Sequence, residues 1–162
     1  MVLMGVAGSG KTLIGGLLAP RLGAKYVVGD TLHPATNIAK MSRGEPLTDA
    51  DRWPWLDLVG ATLALAEAPT IVGCSALKRA YRDRIRAAVG CPVRFVHLTG
   101  ERALIAARMA DRTGHFMPAT LLDSQFAALE PPVPEEEAVS IDIDQPPGAV
   151  VSAILAGLRA HA

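Results

Sequence analysis

The sequence predicts an α/β protein in which helices cover both faces of a five-stranded parallel β-sheet, a three-layer arrangement. Three observations support this prediction: short continuous apolar runs occur, helical spacing separates most of them, and 162 residues suit one domain. Continuous apolar runs are typical of strands buried on both faces, and their alternation with helices favours parallel pairing. We therefore expect a single domain over residues 1–162, with ligands bound beyond the carboxyl ends of the strands.

The predicted elements alternate along most of the chain. Strands are predicted at Val2–Met4, Lys25–Val28, Thr70–Cys74, Val93–Leu98 and Ala138–Ile143. Helical spacing is found at residues 13–22, 53–67, 101–112 and 121–129. Pro34, Pro54 and Pro118 are predicted to mark helix starts, because proline in a first turn costs no hydrogen bond. Thr48 and Asp51 have the spacing of a capping box ahead of the helix at 53–67.

A phosphate-binding motif follows the first predicted strand directly. The segment Gly-Val-Ala-Gly-Ser-Gly-Lys-Thr matches G-x-x-x-x-G-K-[ST], in which backbone N–H groups and a helix N-terminus surround a polyphosphate. The predicted nucleotide-binding residues here are Gly5, Ala7, Gly8, Ser9, Gly10, Lys11, Thr12 and Leu13. Lys11 is expected to bridge phosphate oxygens, and Thr12 to bind Mg2+ together with waters. Leu13 stands where many such loops carry a second hydroxyl, so a side-chain contact with the α-phosphate is lost. A glycine-rich turn without a ligand is the alternative.

Composition narrows the class of partner. Sixteen basic and sixteen acidic residues balance, so no broad positive field is available to hold nucleic acid. The chain has no apolar stretch of the roughly 18 residues that cross a bilayer. Because the motif follows the first strand at once, we expect no signal peptide. Cys74 and Cys91 lie in or beside apolar runs and are predicted to be buried thiols. We expect a cytoplasmic protein without a membrane or nucleic-acid partner.

Polar clusters come after the strands, where ligands of parallel α/β folds bind. Gly29-Asp30-Thr31-Leu32-His33-Pro34 follows the second strand, and Ser75-Ala76-Leu77-Lys78-Arg79 follows the third. Arg108 and Arg112 stand four residues apart on one predicted helix face. The phosphate loop alone does not distinguish a kinase from a switch GTPase, a motor ATPase or a passive nucleotide binder. The polar clusters must therefore distinguish between these classes.

Together these segments resemble the gluconate kinase family, the small bacterial-type gluconokinases of the shikimate-kinase-like group. The resemblance covers nearly the whole chain, and its most specific segments are Leu32-His33-Pro34, Ser75-Ala76-Leu77-Lys78-Arg79 and Gly114-His115-Phe116-Met117. It implies ATP-dependent phosphorylation of D-gluconate at the 6-hydroxyl, giving 6-phospho-D-gluconate and ADP. It also implies a P-loop kinase fold, ATP with Mg2+, a mobile lid at about residues 108–118 with a bend at Thr113-Gly114, and a homodimer.

Lys11, Asp30 and Arg112 are the predicted catalytic residues. Asp30 is the candidate base, because phosphoryl transfer needs a carboxylate near the attacking hydroxyl. A turn or helix-cap aspartate is the alternative. Arg112 is expected to reach the transferring oxygens and Arg108 the nucleotide, unless the pair is a solvated helix face. Val28 occupies a position where relatives carry an acid.

The acceptor-binding residues are predicted from the chemistry of a polyol acid, which needs a cation for its carboxylate and polar groups for its hydroxyls. The residues are Asp30, His33, Arg52, Lys78, Arg79 and His115. By resemblance to the shikimate kinases, Arg52 is the leading carboxylate partner and Arg79 the second. Salt bridges with nearby aspartates are the alternative for both, and His33 is equally suited to capping the helix that follows Pro34.

Two further questions stay open at this stage. Trp53 and Trp55 either pack in the core, which is the favoured interpretation, or wall the acceptor pocket. The alternative functions are a related kinase for another sugar acid or shikimate, and a nucleotide-binding regulator. The regulator is disfavoured because the sequence has no Asn-Lys-x-Asp segment and no clear Asp-x-x-Gly switch motif.

Overall fold

The structure, a computed structural model, describes residues 1–111 and 119–160, with the backbone alone at 119 and 120. The strands are β1 (Val2–Met4), β2 (Lys25–Val28), β3 (Thr70–Gly73), β4 (Phe95–Thr99) and β5 (Val139–Asp142). The helices are α1 (Lys11–Arg21), α2 (Ala35–Ser42), α3 (Asp49–Ala64), α4 (Arg79–Val89), α5 (Arg102–Ala110), α6 (Ala119–Ala128) and α7 (Pro147–Ala160). Two short 3-10 helices lie at Gly29–Leu32 and Pro134–Glu136.

Within the described residues the strands form a five-stranded parallel sheet in the order β2-β3-β1-β4-β5, which confirms the predicted fold class. β1 lies at the centre, and Leu3 on it pairs with Gly73 of β3 on one side and Val96 of β4 on the other. The chain fills one side of β1 first and then the other. The order therefore reverses at the carboxyl end of β1, which is where parallel α/β sheets bind their ligands.

The core has two halves, one on each face of the sheet. Leu3 packs with Leu18 of α1 and Ile154 of α7 on the first face. Val2 and Met4 point to the opposite face, among residues of α3 and α4. Side chains on both faces of β1 therefore pack against apolar residues, and this explains why β1 is a continuous apolar run rather than an alternating one. In the part of the chain that is described, every helix is too short or too polar to span a bilayer.

Local predictions near α3 need one correction. The helix starts at Asp49, because Thr48 and Asp51 form the predicted capping box, with the Asp51 N–H donating to the Thr48 hydroxyl. The prediction that Pro54 marks a helix start is wrong, since Pro54 lies inside α3. Pro34 does precede α2 directly, as its N-cap, whereas Pro118 lies outside the described residues. Helices α4 and α7 are not among the predicted helices.

The two cysteines differ. Cys74 is buried, and burial raises the pKa of its thiol to about 12. Cys91 is exposed, so the prediction of a buried thiol is wrong there. Its position explains the difference, because it comes after Gly90, which ends α4, and before β4 begins.

Candidate active site

The loop between β1 and α1 has the conformation of a phosphate site. Gly5 and Gly8 have φ angles of +143° and +78°, a region that favours glycine. A Cβ at Gly5 would lie 2.7 Å from the Leu98 carbonyl oxygen, and one at Gly8 would lie 2.5 Å from Met109 Cγ. Gly10 precedes α1 and no side chain caps the helix, so its first-turn N–H groups are left to bind an anion.

Side chains of this loop complete the donor set of a triphosphate site. Lys11 Nζ donates to the carbonyls of Gly5 and Val6, both at 2.9 Å, and this holds the ammonium against the loop. The Ser9 hydroxyl is buried and has no hydrogen-bond partner among the described residues. Thr12 is exposed at the start of α1, where its hydroxyl could join a metal ion bound to phosphate. The loop therefore fits ATP and Mg2+ by its donors and its conformation.

A first cavity, which we call the α7 cavity, lies between this loop and α7 and has a volume of about 320 Å³. Its lining residues are Gly8, Ser9, Gly10, Leu13, Ile14, Arg108, Ile143, Gln145, Pro147 and Val150. Arg108 Nη2 donates to the Ile143 carbonyl at 2.8 Å, which joins the end of α5 to the segment after β5. The cavity brings Arg108 and Leu13 to the phosphate loop, where the sequence analysis expects the nucleotide.

A second cavity, the α3 cavity, opens on the other side of the same loop and has a volume of about 260 Å³. Its lining residues are Ala7, Lys11, Asp30, His33, Met41, Glu45, Pro46, Leu47, Arg52, Trp55, Ser75, Leu121, Ser124 and Gln125. Three predicted acceptor residues, Asp30, His33 and Arg52, therefore lie in one cavity with Lys11. The α3 cavity therefore places a carboxylate, an imidazole and a guanidinium group next to the phosphate loop.

Asp30 is held by its backbone and exposed through its side chain. It lies in the 3-10 helix that follows β2, and its carbonyl accepts a hydrogen bond from the His33 N–H at 3.3 Å. The Trp55 indole donates to the neighbouring Gly29 carbonyl at 2.8 Å and stacks on the His33 ring at 4.0 Å. A buried tryptophan thus fixes the turn that presents the Asp30 carboxylate to the α3 cavity.

Arg52 is anchored behind the α3 cavity by a polar cluster. Its Nη1 donates to the Leu47 carbonyl and to the Tyr81 hydroxyl, the latter at 3.4 Å. Tyr81 donates in turn to Asp49, and Lys78 Nζ lies 3.0 Å from both Asp49 oxygens. Hydrogen bonds from Tyr81 and Lys78 lower the pKa of Asp49. The polar contacts of Arg52 with described residues all use Nη1, so Nε and Nη2 are left to bind a carboxylate.

Lys78 and Arg79 do not line the α3 cavity. Lys78 pairs with Asp49, as above, and Arg79 Nε lies 3.8 Å from the Asp83 carboxylate one helical turn away. The Arg79 N–H donates to Glu130 at 2.7 Å. Their acceptor-binding roles stay predictions. For Arg79, the alternative role in an ion pair is present in the structure as its contact with Asp83. Arg112 and His115 lie outside the described residues, as do residues 112–118 of the predicted lid with its bend, whereas the lid residues 108–110 belong to the end of α5.

His33 does not cap α2, because no side chain caps that helix. Trp55 both packs in the core and lines the α3 cavity, so the two interpretations weighed for it hold together. Trp53 packs edge-on against Tyr81 with ring centroids 5.5 Å apart and is not part of the cavity lining.

Several residues of the α3 cavity are not among the predicted site residues, and Ser75 and Gln125 are two of them. Ser75 lies two residues beyond β3, within the polar cluster predicted to follow that strand, and its carbonyl accepts from the Gly5 N–H at 3.3 Å. Gln125 Oε1 accepts from the Ala7 N–H at 2.7 Å across 118 residues of sequence. The contact of Gln125 with the phosphate loop cannot be predicted from the local sequence, because only the fold brings α6 to that loop.

A buried ion pair supports the segment after β3. Arg82 is 0% exposed and pairs with the Glu136 carboxylate through Nε and Nη2, at 2.6 and 2.7 Å. Its Nη1 donates to the carbonyls of Ala76, Leu77 and Glu130. Arg82 holds the pKa of Glu136 down at about 2. The pair therefore ties the chain beyond Ser75 to the segments that follow α6.

Comparisons with known proteins agree with this geometry. Residues 1–132 match the family described as an AAA domain. The chain is 52% identical to the thermosensitive gluconokinase of Escherichia coli (strain K12), over 88% of this chain and 78% of that protein. It is 43% identical to the gluconokinase of Gluconobacter oxydans (strain 621H), over 99% of this chain and 92% of that protein.

A solved structure is similar over the same extent. The crystal structure of a gluconokinase from Sinorhizobium meliloti 1021 superposes with a TM-score of 0.92 at 48% identity, covering 99% of this chain and 91% of that one. Similarity of sequence and of fold thus extends over both cavities, since their lining residues run from Ala7 to Val150.

Proposed function

The chain belongs to the gluconokinase family, and from that premise we propose that it transfers the γ-phosphoryl group of ATP to the 6-hydroxyl of D-gluconate. The products are 6-phospho-D-gluconate and ADP. One observation supports this reaction above the others: the α3 cavity contains Lys11 of the phosphate loop together with Asp30 and Arg52. An acceptor bound there meets a phosphate donor, a base and a cation at once.

The chemical step follows from the groups that surround the α3 cavity. The oxygen of the 6-hydroxyl attacks the γ-phosphorus, the bond from that phosphorus to the β–γ bridging oxygen breaks, and ADP leaves with the bond electrons. Asp30 accepts the proton of the hydroxyl as the new bond forms. Lys11 neutralises the charge that develops on the β- and γ-phosphate oxygens. Arg112 is proposed to contact the oxygens of the phosphoryl group that is transferred.

Nucleotide binding is assigned to the phosphate loop and the α7 cavity. The uncapped N–H groups of α1 hold the phosphates, and Arg108 lines the space beyond Gly8 and Gly10. Leu13 is 51% exposed and offers the nucleotide an apolar contact. Thr12 would hold Mg2+, which neutralises phosphate charge when it is bound.

Acceptor binding is assigned to side chains of the α3 cavity. Arg52 is the proposed partner of the gluconate carboxylate, because a planar guanidinium with free N–H groups binds a carboxylate through two hydrogen bonds. His33 is the proposed partner of a hydroxyl oxygen along the polyol chain. Lys78, Arg79 and His115 remain proposed as secondary contacts. The cytoplasmic location and the homodimer likewise stay predictions.

An acceptor panel tests the function. ADP release would be followed with gluconate, shikimate, 2-ketogluconate, glucose and AMP under identical ATP and Mg2+ concentrations. We expect gluconate to give the highest kcat/KM and to accelerate ADP release strongly over the rate without acceptor. A higher kcat/KM for any other acceptor would overturn the substrate assignment, and slow turnover indifferent to all acceptors would instead indicate a nucleotide-binding regulator.

A further inference from the structure

Asn37, a residue outside the predicted site, lies beneath His33 of the α3 cavity. Asn37 is 2% exposed on α2, and its Nδ2 lies 3.2 Å from His33 Nδ1. The same Nδ2 donates to the Asp51 carbonyl at 2.8 Å, at the start of α3. One amide group therefore contacts both the imidazole and the backbone of the neighbouring helix.

These two contacts determine which atoms donate and which accept. The Asp51 carbonyl is an acceptor only, so the amide atom facing it must be the nitrogen and not the oxygen. That nitrogen has two hydrogens and accepts nothing, so the second hydrogen points to His33 Nδ1 as an acceptor. An Nδ1 that accepts carries no proton. The neutral imidazole must then carry its proton on Nε2.

The surroundings of His33 favour this neutral state. Burial lowers the pKa of His33, Asp30 opposes that effect, and the guanidinium of Arg52 adds to it. One ring face stacks on Trp55 with an angle of 17° between the planes. With Nδ1 held by Asn37 and one face covered, the ring edge left for the α3 cavity carries Nε2.

We propose that Asn37 is a positioning residue, which keeps His33 in the Nε2–H tautomer so that the imidazole donates a hydrogen bond to an oxygen of the bound acceptor. The proposal rests on the proposed function only for the identity of that acceptor. A neutral donor at this place discriminates in favour of ligands that present an oxygen lone pair to His33. A hydroxyl or carboxylate oxygen of a polyol acid meets that requirement, whereas an ammonium or an aliphatic group does not.

The tautomer can be measured directly on the wild-type protein. Long-range ¹H–¹⁵N correlation spectra of the imidazole groups would be recorded at pH 8, where histidines are neutral. The chain has four histidines, and the signals of His33 are those lost in His33→Phe. We expect His33 to show the Nε2–H pattern. An Nδ1–H pattern, or the averaged pattern of a free histidine, would overturn the proposal whatever the enzyme phosphorylates.

Steady-state kinetics test the consequence. Asn37→Leu removes the donor and keeps a side chain of similar size, so Nδ1 is no longer required to accept and the Nε2–H tautomer loses its preference. We expect the KM for gluconate to rise about tenfold, the value of one hydrogen bond, while the KM for ATP changes less than about twofold. In the His33→Phe background, which keeps a ring on Trp55, the same substitution should add less than about twofold. An equal rise in both backgrounds would show that Asn37 acts through packing alone and would overturn the proposal.

Discussion

The two cavities that flank the phosphate loop are built in different ways. The α7 cavity is lined by loop glycines and apolar side chains, and Arg108 is the charged side chain among its described lining residues. The α3 cavity contains charged and polar side chains, with Asp30 and His33 from the segment after β2 and Arg52 from α3. A site built from the phosphate loop and apolar side chains suits the nucleotide that all kinases bind, whereas a site rich in charged and polar side chains selects the acceptor. Substitutions should therefore affect one substrate at a time.

The largest effect is expected for Asp30→Asn, which removes the proton acceptor and keeps the shape of the side chain. We expect kcat to fall by about 10³-fold, within the range for loss of a general base. The affinity for ATP, measured by calorimetry, should stay unchanged because Asp30 is not part of the α7 cavity lining. Asp57→Asn is the matched control, since Asp57 pairs with Arg84 on the exposed side of α3. Turnover of Asp30→Asn at the rate of Asp57→Asn would remove Asp30 from the base role.

A smaller effect, confined to the acceptor, is expected for Arg52→Leu. Loss of a charge-assisted pair with the gluconate carboxylate should raise the KM for gluconate by about a hundredfold. Arg79→Leu serves as the comparison, because Arg79 pairs with Asp83 outside the α3 cavity, and as a secondary contact it should raise that KM by no more than about fivefold. Initial rates over a range of gluconate concentrations measure both. A larger rise in the KM for gluconate with Arg79→Leu than with Arg52→Leu would instead assign the gluconate carboxylate to Arg79.

Arg108→Ala tests the opposite cavity. We expect the KM for ATP to rise about fivefold, because one partly exposed cation near the nucleotide is lost. The KM for gluconate should not move. Initial rates at saturating gluconate and varied ATP measure the first, and the reverse experiment measures the second. Equal effects on both substrates would mean that the two cavities do not act independently.

The smallest effect concerns pH. Burial lowers the pKa of His33, so its neutral form persists at pH values below the ordinary histidine pKa of about 6.5. Protonation would place an Nδ1–H against the Asn37 amide. The KM for gluconate should therefore stay constant as pH falls from 8 to about 6.5 and rise only at lower pH. His33→Phe should lack that rise. A rise centred above pH 6.5 in the wild type would contradict a neutral, buried imidazole.

The parts of the site that the sequence predicted are those carried by consecutive residues. The phosphate loop is one eight-residue segment, and Asp30 and His33 follow a strand end, so their positions depend on local order. Arg52 came from resemblance, and the structure brings it into the α3 cavity. Gln125 depends on a contact between α6 and the loop, which no periodicity encodes.

Other differences between the sequence predictions and the structure also have physical causes at particular residues. Lys78 and Arg79 follow a strand end as Asp30 does, but α4 begins at Arg79 and pairs it with Asp83 one turn on. The start of α3 depends on the Thr48 capping box rather than on Pro54, because a cap satisfies N–H groups that a proline merely removes. Asn37 belongs to the polar residues that follow the second strand, but no sequence pattern indicates a role for its amide. Its proposed role depends on a contact with His33, four residues earlier, together with a hydrogen bond to Asp51 that requires α2 to pack against α3.

A crystal structure with a non-hydrolysable ATP analogue and gluconate is the decisive test of this site. In the proposed complex the acceptor lies in the α3 cavity, with its terminal hydroxyl before the γ-phosphate and its carboxylate at Arg52. We expect the 6-oxygen about 3–3.5 Å from the γ-phosphorus, in line with the bond that breaks, and within hydrogen-bond distance of Asp30. Gluconate bound in reverse, or in a cavity that does not reach the phosphate loop, would contradict it.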